Sequence, residues 1–183
     1  MAGLDPQVLV QRMLTMGRQE LHGKRTESHA PVIPEGAAAG DADAVFAPLD
    51  MRFLQTVGFH AYLDPATGHS AWPVPLGLAR NKLWMFGAER DIIHEAPLPG
   101  DIFLQRSPRT EDYVHAGLVL TVDSQGLIRD RVYYNLTTME GDTDHCGMLK
   151  GGYTYKVRRR LGPTWGDRFF RWVDLDAADV FRD

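Results

Sequence analysis

The apolar positions of this chain change their period near Pro97 and Pro99. Before that point they recur at helical spacing; after it they come in short runs and alternations. Asp5-Pro6 reads as an N-cap followed by a first helical residue, because proline's fixed φ and missing N–H suit that position. Leu9, Met13 and Met16, flanked by Val10, Leu14 and Leu21, supply one apolar face, and Gly23 ends the helix near His22. The small residues from Ile33 to Asp41 predict an exposed loop. Leu49, Phe53, Leu54 and Val57 predict a second helix between Pro48 and Tyr62, with Asp50 near its start. Asp64 to Pro75 is rich in turn formers, and Leu76 to Phe86 predicts a third helix stopped by Gly87.

Beyond Pro99 the predicted elements are strands: Ile102-Phe103-Leu104, Ala116 to Val122, Leu127 to Thr138, and Tyr153 to Arg158, with one more from Arg168 to Val173. Ser124-Gln125-Gly126 is the predicted hairpin turn. Helices followed by an antiparallel meander make the expected fold class α+β, with N-terminal helices packed on an antiparallel sheet or small barrel. One domain over 1–183 is expected, divided into an N-terminal helix and loop (1–42), a helical part (43–90) and a sheet (97–175).

Composition narrows the function classes. A net charge of −4 argues against a broad phosphate-binding surface, so nucleic acid is not an expected partner. The basic run Lys156-Val157-Arg158-Arg159-Arg160 reads as a strand with a charged, solvated face. No run of about 18 apolar residues predicts a transmembrane segment. The N-terminus carries no secretory pattern, so synthesis in the cytoplasm is expected. The single cysteine, Cys146, leaves no intramolecular disulfide to form.

The chemistry-bearing residues fall in a fixed order. A Pro99-Gly100-Asp101 turn launches an apolar strand, His115 opens the next within Val114-His115-Ala116-Gly117, and Met139-Glu140-Gly141-Asp142 follows. Leu83-Trp84-Met85-Phe86-Gly87 precedes the turn. This ordered set resembles the CHAP and NlpC/P60 peptidoglycan hydrolases, which are papain-like cysteine amidases and endopeptidases. The resemblance is strongest from about Leu83 to Arg160 and implies a papain-like, CHAP-type fold without a cofactor. It implies His115 as general base and Glu140 as the acid orienting its ring. Asp142 stands where many members carry Asn. Trp72 and Trp84 are implied as ligand contacts, with peptidoglycan or a protein as partner.

The resemblance also places the nucleophile at Asp50 or Met51, at the start of the helix before the sheet. Neither can replace a thiolate. Methionine is not nucleophilic, and attack of an aspartate on an amide makes a mixed anhydride uphill. An Asp50 that faces His115 would form an ion pair and keep the imidazole protonated. Other nucleophiles are Ser70 in the loop Gly68 to Trp72, and Cys146 in Asp144-His145-Cys146-Gly147. A zinc site drawn from His22, His29, His60, His69, His94 or His145 lacks recognisable ligand spacing.

Two functions follow from the resemblance. One is a degenerate, non-catalytic wall-binding or structural module in a phage or lysis setting. The other is an active N-acetylmuramoyl-L-alanine amidase or endopeptidase with an unusual nucleophile. A blander reading makes His115 a strand histidine satisfied by a backbone carbonyl, and Glu140 and Asp142 parts of an acidic turn. Trp165, Phe169, Phe170 and Trp172 are expected chiefly in the core.

Overall fold

The structure, a computed structural model, describes residues 7–8, 10–15, 49–63, 66–67, 70, 72, 74, 78–143 and 153–175. The predicted Gly23 stop, the 33–41 loop, His22, His29, His69, His145 and Cys146 lie outside the described residues. The described part is α+β. Residues 7–8 and 10–15 are helical (α1), followed by α2 (Leu49–Ala61) and α3 (Arg80–Ala88). Six strands follow: β1 (Ile93–His94), β2 (Ile102–Arg106), β3 (Tyr113–Ile128), β4 (Arg131–Thr143), β5 (Tyr153–Leu161) and β6 (Arg168–Phe170). Among the described residues no helix is long and apolar enough to cross a membrane.

All pairings are antiparallel, in the order β1-β6-β2-β3-β4-β5. Strands β2 to β5 form the expected meander. Strand β6 does not extend it but returns to pair with the far side of β2, and β1 was not foreseen. Among the described residues the sheet is open, with β1 and β5 at its edges, so it does not form the small barrel offered as an alternative. It is nevertheless strongly curled: Leu161 of β5 and Phe169 of β6 meet in one inner cluster with Phe103, Val119 and Leu136. On the opposite face, Ile102, Leu104, Ala116, Leu118 and Met139 pack against Met51, Leu54 and Val57 of α2 and Leu83 of α3.

The hairpin turn lies at Arg129-Asp130, not at Ser124-Gln125-Gly126. Ile128 pairs with Arg131, and the two loop residues have φ of 51° and 62°. Positive φ at both positions matches the twist of a two-residue β-hairpin. Gly126 instead pairs with Tyr133 inside the ladder, where a Cβ would overlap the Tyr133 ring. Helix α3 begins later than Leu76, because Ala79 is extended at φ −71° and ψ 162°.

The Pro-Gly-Asp turn is a structural anchor. Gly100 has φ +96°, which suits glycine in the third position of a type II turn after proline. Asp101 Oδ2 accepts the Leu98 N–H at 2.8 Å, and the Trp172 indole N–H donates to the Gly100 carbonyl at 2.7 Å. Arg171 donates to both oxygens of Asp101. These bonds fix where β2 enters the sheet and, through β2, the start of β3 that carries His115.

Candidate functional site

At the start of β3, His115 pairs across to Gln105 of β2, while β4 joins β3 only from Leu118 onward. The first turn of α2 meets β3 there. Asp50 Oδ2 accepts the Ala116 backbone N–H at 2.9 Å, so a helix-borne carboxylate takes the place of a neighbouring strand carbonyl. The same oxygen stands 3.3 Å from His115 Nδ1. Asp50 Oδ1 accepts the Met51 N–H at 2.9 Å, and the Arg80 guanidinium clamps both carboxylate oxygens at 2.7 and 2.8 Å.

The other ring nitrogen faces a second carboxylate. His115 Nε2 lies 2.7 Å from Glu140 Oε2, whose carboxylate is held by Arg159 at 2.5 and 2.8 Å. The Thr138 hydroxyl donates to Glu140 Oε1 at 2.5 Å. Strand alternation places Phe103, Gly117, Thr138, Glu140 and Arg159 on the inner, curled face with His115. Gly117 is required there, since a Cβ would collide with the Phe103 ring, the Glu140 side chain and the Met139 carbonyl.

The result is one chain of charges, buried at its centre and partly exposed at its two arginines: Arg80, Asp50, His115, Glu140, Arg159. Asp50 and Glu140 are 0% exposed and His115 is 1% exposed. Burial pushes both carboxyls up, but His115 and the arginines outweigh it and hold Asp50 and Glu140 below their ordinary values. Burial alone would lower His115; the contacts with Asp50 and Glu140 reverse that and raise it above 6.5. Donor arithmetic agrees. A neutral imidazole has one N–H, so it would turn a lone pair toward one carboxylate, whereas the imidazolium donates toward both.

Met51 is buried in the core beneath the site. The backbone of Asp142 belongs to β4, and its side chain lies outside the described residues. Glu140 and Asp142 are thus strand residues and not parts of a turn, and His115 is satisfied by carboxylates and not by a backbone carbonyl. Ser70 donates to the Phe59 carbonyl at 2.7 Å and accepts the Trp72 N–H, which ties its hydroxyl to the end of α2. His60 Nδ1 is bonded to the Thr56 carbonyl, and His94 lies 3.3 Å from Asp174. Among the described residues no group of three or more His, Cys, Asp or Glu side chains is arranged to hold a metal.

The two tryptophans part ways. Trp72 packs with Tyr62 and Trp172 at ring separations of 5.5 and 5.4 Å, against the core. Trp84 is 37% exposed on α3 and leans on Tyr113, two residues before His115, at 6.1 Å. Phe169, Phe170 and Trp172 are buried as expected, and Trp165 is exposed and stacked on Tyr133.

Sequence reasoning missed both arginines of the chain. Arg159 carried a signal: alternation along Lys156 to Arg160 sends it to the face opposite Arg158 and Arg160, alongside Val157. Arg80 lies 30 residues from Asp50, and no local pattern links the two. No protein-family model, curated protein or solved structure matches this chain.

Proposed function

We propose that this protein is a catalytically silent module on a papain-like frame, a degenerate relative of the CHAP and NlpC/P60 wall hydrolases that binds peptidoglycan instead of cutting it. The observation that carries this reading is the contact between Asp50 and His115. In a papain-like hydrolase the helix terminus before the sheet presents a thiol to the histidine, and its dipole and the imidazole lower the thiol pKa. Here that terminus presents a carboxylate already engaged by Arg80 and two backbone N–H groups. It has no free lone pair for attack. Both nitrogens of His115 are occupied, so the ring is not available as a base.

Trp84 and Tyr113 support a binding role. Trp84 is exposed and leans on the half-buried Tyr113 beside the blocked site, an aromatic face of the kind that packs on sugar rings and peptide stems. A phage particle or lysis module is the proposed setting. The test is incubation with purified peptidoglycan. The protein should pellet with the wall and release neither stem peptides nor free amines, and Trp84→Ala should weaken pelleting several-fold. Release that disappears in His115→Ala would show an enzyme, and failure to pellet would remove the binding role.

A further inference from the structure

Strand β5 is an edge of the sheet, and its solvent face carries Lys156, Arg158 and Arg160 in register. All three are exposed, lie on one face at alternate positions, and are spaced by about 6.6 Å. Among the described residues none of them has a carboxylate within ion-pair distance. Arg160 is oriented in advance: its Nε donates to Asn135 at 3.1 Å, and its guanidinium lies 4.7 Å from the centre of the Tyr133 ring. The facing charge on this surface is Asp123. Its carboxylate accepts from Thr121 and Thr137, which hold it below its ordinary value, and Arg158 and Lys156 add to that pull. One carboxylate against three cations leaves the row net positive in a chain whose formal charge is −4.

We infer that the edge of β5, unpaired among the described residues, receives an extended acidic peptide segment of a partner, added as a further antiparallel or parallel strand. An edge strand offers unpaired backbone groups for such addition. Alternate side chains of the incoming strand lie beside Lys156, Arg158 and Arg160, where opposite charges are favourable and like charges are not. The same row therefore turns away a second copy of β5, whose cations would face these. The neighbouring inward position, Arg159, is tied to Glu140 and keeps the strand's other face inside the protein. This inference does not depend on the wall-binding reading.

The test uses a labelled ten-residue peptide with Glu at alternate positions and Thr or Val between, titrated by fluorescence anisotropy at 0.15 M salt. Three controls define the outcome: the same peptide N-methylated at every second amide, heparin of matched charge, and the protein variant Lys156→Gln/Arg158→Gln/Arg160→Gln. Circular dichroism and thermal melting verify that the variant folds. The expected result is saturable binding, weakened at least ten-fold by the triple substitution and at least ten-fold by N-methylation. A separate Arg158→Gln single substitution should weaken it several-fold. Equal binding of the N-methylated peptide, or equal displacement by heparin, would reduce the edge to a general polyanion surface and overturn the inference. No binding of the acidic peptide would overturn it as well.

Discussion

Asp50 Oδ2 is shared between the Ala116 backbone N–H and His115 Nδ1, at 2.9 and 3.3 Å. One carboxylate thus ties the first turn of α2 to the start of β3 and sets the ionisation of the histidine there. A group in that position cannot be changed without affecting both fold and charge.

Removing Asp50 should be costly. Asp50→Ala leaves Arg80 facing a void and the Ala116 N–H unpaired, and breaking a buried pair from one side typically costs about 3–5 kcal/mol. The double variant Asp50→Leu/Arg80→Met should recover a large part of that loss, because no unpaired charge remains. Urea unfolding of Asp50→Leu, Arg80→Met and the double variant measures the coupling. Additive losses would show that the residues act independently.

Gly117→Ala should destabilise by about 1–3 kcal/mol through overpacking, since Phe103, Glu140 and the Met139 carbonyl close on the missing Cβ. Chemical denaturation of this variant beside Gly126→Ala, whose nearest contacts all lie at the far end of the Tyr133 side chain, gives the comparison. A larger loss at Gly126 than at Gly117 would contradict the packing argument at the site.

Stability should depend on pH in a defined direction. Asp50 and Glu140 lie below their ordinary values of 3.8 and 4.5 in the folded state, so their contribution is present above those values and lost as pH falls through the lowered ones. His115 lies above 6.5, so its contribution is complete below 6.5 and lost as pH rises through the raised value. The ion chain is therefore fully effective between about 4.5 and 6.5. Asp101 and Asp167 are raised by burial and add their own decline with rising pH from 3.8 upward. Subtracting the His115→Gln profile isolates the histidine, and the difference should shrink as pH rises above 6.5. A difference that grows in that range would reverse the assignment.

A thiol placed at residue 50 should be unusually acidic. In Asp50→Cys on a Cys146→Ser background, Arg80, His115 and the α2 N-terminus all favour the thiolate. The pH dependence of thiolate absorbance at about 240 nm, taken as the difference from the Cys146→Ser background, should give a midpoint below the ordinary thiol value of about 8.5. A midpoint at or above that value would mean that the helix terminus and its cations do not act on this position.

Much of the site was legible, and the reason lies in its local grammar. Pro99-Gly100-Asp101 spells a turn, His115 and Gly117 alternate on a strand, and Glu140 follows at a distance that allows a neighbouring strand. The partners that fix the charges were less visible. Arg80 joins Asp50 only through the fold, and Arg159 is legible only if the basic run is read with a period of two.

The fold was legible to a similar depth. Helix α2 and the start of β2 follow their patterns closely. The β3–β4 hairpin does not, because register shifts between Val119 and Thr121 and between Val122 and Ser124 break the alternation. The turn then falls on Arg129-Asp130, two residues that pay no tribute to the glycine preference for positive φ, while Gly126 serves cross-strand packing. Two-residue β1 is too short to leave a pattern.

The ionisation of His115 is the most direct test of the proposal that the site is silent. Long-range ¹H–¹⁵N NMR of the imidazole at pH 6.5, assigned with His115→Gln, reports the protonation of each ring nitrogen. The arrangement predicts that both nitrogens carry protons in most molecules at that pH, the ordinary midpoint of a histidine, as an imidazolium held between Asp50 and Glu140. A neutral ring in a single tautomer would contradict it and return His115 to the role of an available base.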